Sequence, residues 1–86
     1  MIQKVNVPVK VLLKSDTDPQ KTQPLRIIWA KRYYDVIRVT FHHERWEGRK
    51  LMHEFFVETD DLVMRLVMNS STLSWTLVEV TDYESN

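Results

Sequence analysis

Histidine, carboxylate and hydroxyl side chains are the groups in this chain able to move protons, hold metals or attack a substrate. His43 and His53 stand on either side of Gly48, the one glycine in the sequence. With Gly48 at the tip of a hairpin the two imidazoles become cross-strand neighbours, and two imidazoles on adjacent strands make part of a Zn²⁺ site. A catalytic zinc wants a third protein ligand and an open position. Odd residues share one face of such a hairpin, which puts His42, Glu44 and Glu54 on the other side. The His43/His53 pair is therefore expected to cap the end of the core, and a metal-binding protein or enzyme centred on it is the alternative. Glu44, Glu54 and Glu58 are carboxylates of the kind used for acid–base work. Interleaved with Arg38, Lys50 and His42, they read as a salt-bridged solvated face. Ser70, Ser71 and Thr72 sit in a turn with no histidine tied to them by spacing.

Two counts narrow the chemistry further. A single glycine excludes glycine-rich phosphate loops, nucleophile elbows and dinucleotide fingerprints. The lack of cysteine excludes disulfides and thiolate metal sites. No catalytic residue, metal or cofactor is expected, and the chain is read as a non-enzyme.

The elements that hold these residues are strands. Ile37, Val39 and Phe41 alternate with Arg38, Thr40, His42 and Glu44 across a run from Tyr33 to Arg45. Leu51, Phe55 and Val57 alternate with Lys50, Glu54 and Glu58 across 49–59. This period of two is a strand signal. Trp46-Glu47-Gly48 suits a three-residue loop that pairs odd with odd. Thr59-Asp60-Asp61 is a second turn, leading to Leu62, Met64, Leu66 and Met68. Asn69-Ser70-Ser71-Thr72 is a third, leading to Leu73, Trp75 and Leu77. Upstream, Leu25, Ile27 and Trp29 precede a reversal near Lys31-Arg32, and Val5, Val7, Val9, Val11 and Leu13 form a further run. Pro8 lies in that run on the opposite parity and implies a free edge or a bulge there. Six runs starting near 4, 25, 33, 49, 62 and 73 predict one all-β domain over 1–86, a six-stranded antiparallel meander that is strongly coiled or a small barrel. The polar stretch 15–24, with Pro19 and Pro24, is its one long mobile loop, either a lid or slack.

Net charge is zero but unevenly spread. Residues 26–50 carry seven Lys and Arg against three acids, and 51–86 carry Arg65 against seven acids. Such asymmetry fits a basic contact surface, and equally complementary charges on adjacent strands. The start lacks the apolar stretch of a secretory signal and no run approaches a membrane span, so a soluble cytoplasmic protein is expected.

The outward parity is also apolar in part, through Ile28, Tyr34, Val36, Trp46, Met52, Phe56, Val63, Val67, Val78 and Val80. A patch of that kind is covered by coiling, by a second copy, or by a ligand. Tyr34, Trp46 and Phe56 with Arg26, Arg38 and Lys50 are the candidate interaction surface. The expected function is a non-catalytic interaction or assembly module that self-associates as a dimer through this face, with a further protein partner unknown. The alternative is a nucleic-acid-binding module, because bases stack on aromatic rings while cations follow the phosphates.

The succession P-L-R-I-I-W at 24–29, Y-x-V at 34–36, F-x-V at 55–57, L-x-M-R-L at 62–66 and W-x-L-x-x-V at 75–80 resembles a family of small bacterial β domains of unknown function. Some relatives of that family are similar to a domain attached to proteins of the error-prone DNA polymerase group, which implies a DNA-linked context. The resemblance spans roughly residues 24–82, consists of structural strand positions, and carries over no binding or catalytic residue.

Overall fold

Alternating β-branched and aromatic residues fit a pleated surface with one side buried. In the computed structural model, which describes residues 1–18 and 21–82, they form seven strands. These are β1 (Ile2–Lys14), β2 (Gln23–Trp29), β3 (Arg32–Asp35), β4 (Arg38–Glu47), β5 (Lys50–Glu58), β6 (Leu62–Asn69) and β7 (Ser74–Asp82). All pair antiparallel in one sheet of order β3-β2-β1-β7-β6-β5-β4. The sheet is not closed into a barrel, since its edges β3 and β4 share no ladder among the described residues. Of the expected loop at 15–24, Pro19 and Gln20 lie outside the described residues, as do 83–86 of the expected domain, and Gln23 and Pro24 belong to β2.

Seven strands replace the expected six because the run from Tyr33 to Arg45 breaks at Val36–Ile37. There the Val36 N–H donates to the Leu25 carbonyl at 2.9 Å and the Ile37 N–H to the Glu58 carbonyl at 2.7 Å. The chain thus leaves one ladder and enters another within two residues. β1 turns a similar corner, with residues from Ile2 to Val9 pairing with β7 and Lys10 to Lys14 with β2. Strands that switch ladders at bends are how a sheet rolls over its own face. Ile27 and Tyr34 thereby pack into one core with Phe55, Val57, Met64, Leu66, Trp75, Leu77 and Val80. Val5, Val7, Val9 and Val11 pack against it from β1, as the alternation predicts. At Pro8 β1 is laddered on one side only, to Thr76, so the proline sits beside an open edge as expected.

Several faces differ from the expected parity, and each difference has a local cause. The β4–β5 loop is Gly48–Arg49, two residues long, because Glu47 pairs with Lys50. Gly48 holds φ at +64° in the first central position, where a two-residue hairpin turn of this kind favours glycine. The shorter loop pairs odd residues with even ones from the turn down to Phe41 and Phe56, and an extra residue at Thr40 restores Val39 opposite Val57. Val39 and Val57 therefore face the core as predicted, while Phe41 is turned out and is 52% exposed. The β2–β3 reversal is Ala30–Lys31, both with positive φ, which sets Tyr34 opposite Ile27 and buries it. An extra residue at Val78 brings Val80 into the core, and another at Leu25 leaves that side chain exposed. Ile37, at the corner, and Leu73, in the β6–β7 turn, are also exposed instead of inward. The β5–β6 ladder sets Phe55 opposite Leu66, and the β6–β7 ladder sets Met68 opposite Trp75.

Candidate ligand cleft at the open end of the roll

The two-residue Gly48–Arg49 turn decides which histidine meets His53, because it sets Glu44 directly opposite His53. From that turn down to Phe41, the even residues of β4 share a face with the odd residues of β5. His42 stacks on Phe55 at 4.1 Å between ring centroids, and its Nε2 lies 3.2 Å from His53 Nδ1. Glu44 follows on the same face, its Oε2 3.9 Å from His53 Nε2. The expected His43/His53 pair is thus replaced by His42/His53, with Glu44 beside it. His43 points to the opposite face.

These groups line a cleft of about 680 Å³ between the β4–β5 hairpin, the β6–β7 turn and the β1–β2 connection. Phe55, Trp75, Met68, Leu13 and Leu73 supply its apolar wall, and Thr22 adds a hydroxyl. Among the described residues, Glu44 is the one carboxylate of the lining and no Lys or Arg contributes. The His42 imidazole is pushed below its ordinary pKa, first by burial, then by the facing His53, with Glu44 pulling the other way. Among the described residues no group of three or more His, Cys, Asp or Glu is arranged to hold a metal ion. The two ring centroids are 5.5 Å apart, about the N···N distance plus one ring radius at each end. The nitrogens therefore meet head-on, as a hydrogen bond requires, whereas lone pairs sharing a metal converge at an angle.

The opposite face carries an ionic network. Glu54 is only 5% exposed although it lies on the outer side of β5. It accepts hydrogen bonds from His43 Nε2 and from Arg65 Nε, and Arg65 Nη1 donates to Glu79 at 2.9 Å. Burial alone would raise the Glu54 pKa, but the hydrogen bonds and charges of His43 and Arg65 outweigh it and hold the carboxyl below its ordinary range. Phe41 packs on His43 and on Phe56, and the Arg65 guanidinium lies 5.9 Å above Phe56. The cross-strand pairing of Arg38 with Glu58 is present at 2.9 Å.

The six residues marked as an interaction surface are not gathered into one. Tyr34 is 7% exposed, packed on Trp29 with Arg32 over its ring. Arg26 is paired with Asp35 on the β2–β3 hairpin. Trp46 is 69% exposed and falls on the parity of His42 and Glu44. Phe56 lies on the other face with Arg38 and Lys50. No protein-family model, curated protein or solved structure matches this chain.

Sequence reasoning missed His42 and Glu44 as partners of His53. The signal that would have found them is the two-residue Gly48–Arg49 turn, which fixes an odd–even register. The His-His-Glu set was within reach of that reading; the extra residue at Thr40 was not.

Proposed function

We propose that the protein is a non-catalytic binding module whose ligand seat is the cleft walled by His42, Glu44 and His53. The observation that carries this reading is the convergence of three polar side chains on one apolar concavity. Small-molecule sites are concavities of about 300–1,000 Å³, mostly apolar, with a few placed polar groups, and they recur in the mouths of rolled β structures. The cleft at about 680 Å³ has that size and that lining. Its His42 is pushed toward the neutral form, which suits hydrogen bonding to a ligand near neutral pH.

A neutral amphipathic aromatic such as tryptophol, titrated while amide and methyl NMR signals are followed, tests the seat. Shifts concentrated at Met68, Leu73, Trp75 and the two imidazoles, and weakened at least about tenfold by Leu73→Arg, are expected. Leu73 is exposed on the rim, so that variant leaves the core intact. Shifts confined to Phe41, Phe56 and Val67 would place binding on the other face and reject the seat.

Self-association is the second reading, favoured by one feature. β4 is a ten-residue edge strand with Phe41 and Trp46 exposed on it. Unpaired edges of that length template pairing with a second copy. Analytical ultracentrifugation of the wild type and of Thr40→Pro separates the outcomes. A dimer abolished by the proline supports edge pairing, and a monomer at every concentration removes it.

A further inference from the structure

The order Glu44–His53–His42 along one wall limits what the cleft can hold. Two imidazole nitrogens 3.2 Å apart and head-on share a single proton, so one ring donates and the other accepts. His53 Nε2 is the nitrogen nearer the Glu44 carboxylate, at 3.9 Å, and the tautomer with the proton there leaves Nδ1 free to accept. His53 Nδ1 is then the acceptor, His42 Nε2 carries the shared proton, and His42 Nδ1 keeps a lone pair. With the imidazoles in this state, the polar wall carries the Glu44 carboxylate as its one formal charge. Among the described residues, the Thr22 hydroxyl is the remaining polar side chain of the lining.

We propose that the cleft selects amphipathic amines, holding a protonated nitrogen at Glu44 and the imidazole pair and the apolar body against Phe55, Met68 and Trp75. This rests on the cleft being the ligand seat and adds the charge class of the ligand. A carboxylate in the same place meets Glu44 with no cation in the lining to offset it. Acid weakens the preference. Protonation of His42 puts an imidazolium on the wall that carries Glu44, offsets part of its charge and turns an acceptor into a donor. The titratable groups acting on His42 are Glu44 and His43 on β4 and His53 on β5, while β6 and β7 face the cleft with Met68 and Trp75, neither of which titrates.

Three probes sharing one ring system test the selection by calorimetry and NMR: tryptamine, tryptophol and indole-3-acetate. Near pH 7.5, tryptamine is expected to bind about tenfold or more tighter than indole-3-acetate, a ratio within the range of one charge pair near a surface. Glu44→Gln, a change at a largely exposed side chain, is expected to bring that ratio to within about twofold. Lowering the pH to about 5.5 is expected to shrink it in the wild type. Equal or tighter binding of the acid, or a ratio unmoved by Glu44→Gln, overturns the proposal while leaving the seat intact if tryptophol still binds. Failure of all three probes to bind in the cleft overturns both.

Discussion

Arg65→Met is the perturbation that most directly weighs the outer-face network. The substitution keeps an unbranched side chain of comparable length above Phe56 and removes the cation that joins Glu54 on β5 to Glu79 on β7. Arg65 Nε lies 2.5 Å from Glu54 and Nη1 2.9 Å from Glu79, and the two carboxylate side chains are only 6% and 17% exposed. Without the guanidinium, Glu54 keeps His43 alone and Glu79 loses its cation. Removing one partner of a fully buried ion pair costs about 3–5 kcal/mol, because the other charge stays buried and uncompensated. Arg65 itself is 31% exposed, so water screens part of that. About 2–3 kcal/mol is expected here, enough to lower the melting temperature by roughly 10–20 °C in a domain of this size. Urea unfolding followed by tryptophan fluorescence reads it. The pH dependence supplies the check. The Glu54 carboxyl is held below its ordinary value of 4.5, so its contribution is complete above that value and is lost as pH falls through the lower folded-state pKa. The gap between wild type and variant should therefore narrow between about pH 6 and pH 3, where an orphaned Glu54 takes up a proton. Adding Glu54→Gln to Arg65→Met should recover about 1–2 kcal/mol by removing the stranded charge. A loss under about 0.5 kcal/mol, or one that is the same at both pH extremes, would refute this account of how a nearly buried carboxylate is tolerated on the outer face.

The remaining expectations concern turns, core and acid. Ala30 and Lys31 both adopt left-handed backbone conformations in a two-residue turn, so replacing them with Asn-Gly should stabilise the domain by about 1 kcal/mol or more, measured by urea midpoint. Gly48→Ala should cost about 1 kcal/mol, although nothing lies within 4 Å of the added Cβ, because φ is +64°; an unchanged midpoint would contradict the assigned turn. Leu77→Ala, at a fully buried position, should cost about 2–5 kcal/mol, whereas Phe41→Ala, on the exposed side, should cost well under that. His42 has its pKa lowered by burial and by His53, so its contribution is full above the ordinary value of 6.5 and declines as pH falls below it; ¹⁵N-detected imidazole titration showing His42 protonating above that value would reject the assignment.

Much of the architecture is legible in the order of the residues. Val5 to Val11, Ile27, Phe55, Val57, Met64, Leu66, Trp75 and Leu77 alternate in period two and are the residues that meet inside. Alternation is a local property, since each side chain must leave the backbone opposite its neighbour. Turn positions are legible for the same reason: Thr59-Asp60-Asp61 and Asn69-Ser70-Ser71-Thr72 carry side chains that bond their own backbone, as the Thr59 hydroxyl with Leu62 and the Asn69 carboxamide with Ser71 N–H do.

Phase was the part left to the tertiary structure. The extra residues at Thr40, Val78 and Leu25 have no side-chain signature, yet each moves everything beyond it to the other face. They are placed where a sheet must bend to bury its own surface, and that demand arises only when strands distant in the chain come together. The sequence alone thus determined that strands form and that those joined by short turns pair, whereas the ladder between the first and last strands, β1 and β7, came only with the tertiary structure. The rolled sheet decided that Val39 would face the core while Phe41, two residues on, stands on the outer face, because a pleat has two sides and a single unpaired residue exchanges them.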